Sequence, residues 1–132
     1  MPQTAYAPKY LIPQCVERAD GIGPAIDLGG LRGKLLVVTV GINDVLEQEG
    51  LTVSIWGSAT GTDWDTKPLL NFPQKSYCGQ YATLLNLANR PNIRFLRVEW
   101  KMSRWGQRDS ELLFGFSVSL EDSLSHVSSA VA

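Results

Sequence analysis

The residues of this chain that could perform nucleophilic or acid–base chemistry are few and widely spaced. The single histidine, His126, lies in a C-terminal segment of small polar residues. A hydrolytic triad needs an imidazole held rigidly between a nucleophile and a carboxylate, and a chain terminus is poorly suited to hold one. The sequence therefore predicts a protein that is not an enzyme and that has no catalytic residues.

Asp63 and Asp65 are the weak candidates for a metal site. They flank Trp64 in a turn-rich segment, where two carboxylates could supply hard oxygen ligands to calcium. The spacing of an EF-hand loop is absent, and Cys15 and Cys78 lack the spacing of a zinc site. The favoured interpretation is turn capping beside a packed tryptophan, so no metal and no cofactor are predicted.

Tryptophan and arginine give the clearest indication of function. Trp105 lies between Arg104 and Arg108 in a predicted hairpin loop, and Trp64 lies in the turn after Gly61. An exposed tryptophan with flanking arginines is typical of interface hot spots and of platforms that stack on sugar rings. The alternative is a cation–π clamp, in which an arginine stiffens the loop by packing on Trp105.

The net charge of −1 is divided unevenly along the chain. Residues 1–66 carry eight acids and four bases, whereas residues 67–132 carry five acids and eight bases. The balanced total predicts no attraction to nucleic acid or to an anionic membrane. Alternate arginines such as Arg97 could form an anion or partner patch, but a solvated strand face paired with acids is the favoured interpretation. Half of the cations lie in one stretch: Arg90, Arg94, Arg97, Lys101, Arg104 and Arg108.

Alternation of apolar and polar residues predicts an all-β fold, an antiparallel two-sheet β-sandwich that is jelly-roll-like, with about eight strands. The clearest strands are 51–56 and 112–120, and residues 35–40 are apolar on both faces, as in a central strand. Glycine- and proline-rich turns separate the strands. The other predicted strands are 81–87, 93–102 with a β-bulge near Phe95 and Leu96, 25–28, 69–72, and 10–16, which Pro13 places at an edge.

The segment 42–50 leaves two alternatives open. Asn43 could cap a short helix, because Ile42, Val45 and Leu46 have helical spacing. Residues 47–50 could equally be the loop of a hairpin that joins strands 35–46 and 51–57, and the hairpin is slightly preferred.

We expect one domain over residues 1–121 and a small polar tail over residues 122–132. No apolar run approaches the roughly 20 residues that cross a bilayer, and the N-terminus lacks the layout of a signal peptide. Synthesis in the cytoplasm is therefore expected, with a virion or another assembly among the final sites that stay open. Cys15 and Cys78 are expected to be buried, reduced thiols, although a disulfide between them is also compatible with the sequence.

Two short motifs resemble the discoidin group of galactose-binding-like jelly-roll domains. Residues 53–64 read VSIWGSATGTDW, with a turn of glycine and tryptophan after the strand, and residues 93–100 read IRFLRVEW. The resemblance implies a jelly roll and says little about a ligand, because Thr60 replaces the usual aspartate and the cysteines do not bracket the domain. The chain is also similar to small bacterial and phage β-sandwich proteins, and its segment 25–29 to decoration proteins of phage heads.

The function predicted from the sequence is a non-catalytic interaction module that binds a partner protein or a glycan through loops at one end of the sandwich. The alternative is a self-assembling structural protein, such as a capsid decoration or filament subunit. In that case the oppositely charged halves would pair head to tail, and the C-terminal tail would order against the next copy in a homo-oligomer. The predicted binding residues are Trp64, Trp105, Arg97, Arg104 and Arg108.

Overall fold

The strands form where the alternating pattern places them. The computed structural model describes residues 9–46, 49–64, 66–104 and 112–123. Within these ranges the chain forms nine β-strands and a short 3-10 turn at Gly29–Leu31. The strands are β1 (Lys9–Glu17), β2 (Gly21–Ile22), β3 (Ile26–Asp27), β4 (Leu35–Val45), β5 (Glu49–Ser58), β6 (Leu70–Asn71), β7 (Gly79–Asn86), β8 (Phe95–Arg104) and β9 (Phe114–Asp122).

The strands form two antiparallel sheets that pack face to face. Sheet A has the order β1-β9-β4-β7, and sheet B has the order β6-β5-β8, with both β2 and β3 paired to the far side of β8. Because β2 and β3 follow the same edge of β8, they are two pieces of one edge strand, and the sandwich then has the eight strands of a jelly roll. The predicted fold class is confirmed.

Strands that follow each other in the sequence mostly belong to different sheets. β4 pairs with β7 and β9 in sheet A, whereas β5 pairs with β6 and β8 in sheet B. The preferred hairpin between strands 35–46 and 51–57 is therefore wrong, since the chain crosses from one sheet to the other there. The predicted hairpin between β8 and β9, which carries Trp105, is wrong for the same reason. Residues 43–45 extend β4, so no helix begins at Asn43.

The core lies between the two sheets and is made of the alternate residues that the sequence marks as apolar. From sheet B it receives Leu51, Val53 and Ile55, which are at most 1% exposed. From sheet A it receives Phe114, Phe116, Val118 and Leu120 of β9, and Leu36, Val38, Val40 and Ile42 of β4. Trp100 packs edge-on against Phe116, with 5.6 Å between the ring centroids, which joins the two sheets.

One local prediction about β8 is wrong. The register between β5 and β8 runs without a shift from Ser58–Phe95 to Glu49–Arg104, so there is no bulge near Phe95 and Leu96. Ile93 precedes the strand and reaches the core from the turn, where its amide donates to the carbonyl of Arg90 over 3.2 Å. The strand begins at Phe95, and this removes the change of phase that a bulge would have corrected.

The predictions for the edge and the cysteines are partly confirmed. β1 is an edge strand, and its register with β9 shifts around Pro13, between Ile12 and Cys15. Both cysteines are free thiols, but only Cys15 is partly buried, whereas Cys78 is exposed.

β9 includes Asp122, the first residue of the predicted tail, which forms an ion pair of 3.2 Å with Lys34. The described residues contain no helix that is long and apolar enough to span a membrane.

Candidate functional site

The structure brings together two of the five predicted binding residues, Trp64 and Arg97. The Arg97 guanidinium lies 4.3 Å from the centroid of the Trp64 ring, a cation–π contact between the β5–β6 loop and the outer face of β8. Both side chains are partly buried. We call the outer surface of sheet B that is formed by Trp56, Trp64, Phe95 and Arg97 the Trp64–Arg97 face.

A serine-centred turn holds Trp64 in this position. The Ser58 hydroxyl accepts hydrogen bonds from the amides of Thr60 (3.1 Å) and Gly61 (2.8 Å) and donates one to the carbonyl of Asp63 (2.6 Å). The Thr60 hydroxyl in turn accepts a bond of 3.0 Å from the amide of Asp63. Because Ser58 is itself 2% exposed at the end of β5, the turn is fixed to the sheet and aims Trp64 across β8.

The same turn lies close against Phe95. Gly61 has a φ of +85°, and a Cβ atom on it would lie 3.3 Å from Cδ2 of the Phe95 ring. A residue with a side chain would therefore be strained by its backbone conformation and tightly packed against the ring. Gly61 allows the loop to cover Phe95 and, at the next outward-facing position along β8, Trp64 to cover Arg97.

The strand below the loop supplies further polar and aromatic groups. Trp56 lies opposite Arg97 in the register of β5 and β8, and its indole N–H donates to the Ser54 hydroxyl over 3.1 Å. The Ser54 hydroxyl donates to the carbonyl of Glu99 over 3.4 Å. The Nε of Arg97 is buried and has no hydrogen-bond partner among the described residues. A buried donor without an acceptor costs free energy.

Arg104 lies at the other end of β8 and contacts a buried carboxylate instead of an aromatic ring. It is seven residues from Arg97, which corresponds to roughly 23 Å along a strand, and it points towards the inner face. Its guanidinium lies 3.5 Å from Oε1 of Glu49, a carboxylate that is 0% exposed. Trp105, Arg108 and Asp65 lie outside the described residues.

Glu49 is a buried charged residue that was not singled out from the sequence. Its Oε2 accepts a hydrogen bond of 3.0 Å from the Leu46 amide, and its Oε1 accepts one of 2.8 Å from the Leu113 amide. Leu46 follows β4 and Leu113 precedes β9, so one carboxylate ties the β4–β5 crossing and the β8–β9 crossing between the sheets to Arg104 at the end of β8. The interpretation of residues 47–50 as a hairpin loop concealed it, although its spacing from Leu51, Val53 and Ile55 places it on the inner face.

The cations in β8 and just before it take part in separate contacts instead of forming one patch. Arg94 forms an ion pair of 3.3 Å with Asp27 and also lies over the Phe95 ring, 5.3 Å from its centroid. The Gly29 amide donates to Asp27 over 2.9 Å. This hydrogen bond and, after it, the Arg94 guanidinium lower the pKa of the Asp27 carboxyl below its ordinary value. The pairing of Arg94 with Asp27 agrees with the interpretation of a strand face paired with acids.

Asp63, one of the two weak metal candidates, contributes its backbone to the serine-centred turn, and its side chain is exposed. Among the described residues, no group of three or more His, Cys, Asp or Glu side chains is placed to hold a metal ion. A separate shallow pocket of about 240 Å³ lies at the β2–β8 edge, where the Asp20 carboxylate accepts a bond of 2.7 Å from the Met102 amide.

Comparison with protein-family models, curated proteins and solved structures finds no match to this chain. The resemblance to discoidin-like domains therefore stays a prediction, and the function is argued from the Trp64–Arg97 face itself.

Proposed function

We propose that the protein is a non-catalytic binding module that recognises a glycan or a partner protein through the Trp64–Arg97 face. The observation that carries this proposal is the placement of Trp64 on Arg97 by a turn that is anchored in the sheet. An aromatic ring offers a surface for sugar C–H groups or for an apolar side chain, and a guanidinium offers a planar set of donors. Such rigid tryptophan–arginine pairs are the residue types that dominate binding energy at interfaces.

The surroundings of the face favour a ligand rich in hydroxyl groups. The exposed side chains of Thr62 and Asp63 border Trp64, and the partly buried Glu99 lies on the same outer face as Arg97. These groups supply acceptors and hydroxyls around an aromatic surface, which is the composition of a small polar recognition site. Since the loop is already ordered by Ser58, binding costs little further conformational entropy.

A glycan array probed with the full-length protein tests the proposal, followed by titration of each hit with tryptophan fluorescence as the signal. We expect Trp64→Ala and Arg97→Ala each to weaken binding by at least about tenfold, because each removes a contact of roughly 1.4 kcal/mol or more. The matched control is Lys101→Ala, which removes an exposed cation from the same strand and outer face. If no glycan binds, affinity capture with the same variants tests a protein partner.

The proposal is wrong if a ligand is found whose affinity is the same for the wild type, Trp64→Ala and Arg97→Ala. It is also wrong if the protein turns over a substrate and a single side-chain change abolishes that turnover while the fold is intact. Circular dichroism of each variant establishes that the fold is retained before binding is compared.

A further inference from the structure

The outer edge of β7 differs from the other edges of the sandwich within the described part of the chain. β1 is interrupted by Pro13 and by register shifts, and the edges of sheet B are formed by two-residue strands. β7 has eight residues and pairs with β4 without a register shift from Leu35–Asn86 to Ile42–Gly79. It is therefore the one long and regular edge in these residues, and it has no strand on its other side.

The direction of the backbone groups of β7 follows from the register. The Leu87 amide donates to the carbonyl of Lys34 over 2.9 Å, which continues the β4–β7 ladder beyond the strand. In an antiparallel ladder, alternate residues bond to the same neighbour, so the odd-numbered residues of β7 bond to β4. The even-numbered residues direct their amide and carbonyl groups away from β4, towards the open edge of sheet A. These residues are Gln80, Ala82, Leu84 and Asn86.

Nothing in the composition of β7 discourages another strand from pairing there. The strand reads GQYATLLN and contains no charged residue and no proline. Natural proteins protect exposed edges with lysine, proline, bulges or very short strands, and β1, β2, β3 and β6 show such features. The side chain of Leu84 is 57% exposed, so it offers an apolar contact to a strand that pairs with the outward backbone groups of β7.

We propose that β7 pairs with β7 of a second copy of this chain, antiparallel across a twofold axis at Thr83. In this register Ala82 lies opposite Leu84 of the second copy, and Gln80 lies opposite Asn86. All four outward-pointing residues of each copy are paired, which gives about eight backbone hydrogen bonds. Apolar side chains then meet apolar ones and amides meet amides, so the edge is complementary to itself, as a twofold interface requires.

The pairing would join the two four-stranded A sheets into one continuous sheet. It leaves the Trp64–Arg97 face uncovered, because that face belongs to sheet B. The contact contains no ion pair, and this distinguishes it from an assembly that is held by the opposite charges of the two halves of the chain. The mass of the dimer should therefore be independent of salt, whereas a charge-paired assembly dissociates as ionic strength rises.

Light scattering after size exclusion, over a concentration series of the full-length protein at low and high salt, tests the proposal. We expect a dimer at both salts, and for Leu84→Lys an increase of ~10-fold or more in the dimer dissociation constant, because lysine at an edge opposes strand pairing. Ala82→Pro should have a similar effect, since it removes an outward amide that β4 does not use. Val16→Lys, which changes a 53% exposed residue on the edge strand β1, is the matched control and should leave the dimer intact.

A cross-link tests the register itself. Thr83→Cys in a Cys78→Ser background places the two new thiols opposite each other at a non-hydrogen-bonded pair, where the Cα atoms lie about 4.5 Å apart. We expect a covalent dimer under mild oxidation for Thr83→Cys, and none for Thr39→Cys, which lies on the interior strand β4.

A wild-type protein that is a monomer throughout the concentration series overturns the proposal. So does a dimer that Leu84→Lys and Ala82→Pro leave intact while circular dichroism shows both variants folded. If removal of residues 124–132 dissociates the dimer and the β7 variants do not, the C-terminal segment and not β7 joins the copies, and the proposal is likewise wrong.

Discussion

Glu49 illustrates how a single residue connects several elements of this fold. Its carboxylate is fully buried and accepts two backbone hydrogen bonds beside Arg104. Glu49→Ala removes the acceptor of two amides and the ion pair between Glu49 and Arg104, and we expect a loss of about 3–5 kcal/mol in the free energy of unfolding. Glu49→Gln should cost less, about 1–3 kcal/mol, because one oxygen acceptor is kept while an NH₂ group replaces the other.

Urea unfolding followed by tryptophan fluorescence measures both losses. Asp44→Ala removes an exposed carboxylate near the end of β4 and should change the free energy of unfolding by no more than about 0.5 kcal/mol. Equal and small losses for Glu49→Ala and Asp44→Ala would show that Glu49 does not hold the sheet crossings together.

The pKa of Asp27 leads to a pH dependence at the residue scale. The hydrogen bond from Gly29 and the nearby Arg94 lower this pKa in the folded protein, so the folded state binds the proton less readily than the unfolded state. The contribution to stability is therefore present above the ordinary value of 3.8 and is lost as the pH falls through the folded pKa.

Asp27→Asn tests this dependence, since it keeps the side-chain acceptor for Gly29 and removes the titrating group. We expect the wild type to be the more stable protein at neutral pH and low salt, and the difference to vanish in strong acid. Urea midpoints measured across the pH range at low ionic strength give the comparison, and a constant difference down to strong acid would contradict it.

At the scale of elements, the turn after β5 shows how the loop and the strand are joined. Ser58→Ala removes the acceptor for the amides of Thr60 and Gly61 and the donor to Asp63, and we expect a loss of about 1–3 kcal/mol. Hydrogen exchange of the Thr60 and Gly61 amides should accelerate. Thr62→Ala, which removes only an exposed hydroxyl contact with Thr60, serves as the control and should leave that exchange unchanged.

The sequence predicts buried faces well and neighbouring strands poorly, and both outcomes have a physical cause. Alternation identifies which side of a strand is apolar, so the inner positions Leu51, Val53 and Ile55 are correct. Alternation does not say which strand lies alongside, so two crossings between sheets were predicted as hairpins. The candidate site follows the same division: Trp64 and Arg97 are recognisable by residue type, but only the register shows that they meet and that Arg104 lies elsewhere.

At the scale of the whole molecule, the two proposed surfaces lie on different sheets. The Trp64–Arg97 face belongs to sheet B, and the β7 edge belongs to sheet A. A dimer through β7 would carry two copies of the binding face on one rigid sheet. Binding to a surface that presents many ligands would then be stronger than binding to a single ligand, without any new contact.

The topology also makes the fold depend on its last strand. β9 lies inside sheet A, pairs with both β1 and β4, and contributes four side chains that are at most 1% exposed. Each is worth roughly 1.5–3 kcal/mol of burial, which together is comparable to the entire stability of a typical domain. We therefore expect a chain of residues 1–113 to be unfolded by circular dichroism, whereas residues 1–123 keep the β-sheet spectrum and a cooperative unfolding transition. A folded 1–113 chain would show that sheet A forms without β9 and would contradict the strand order described above.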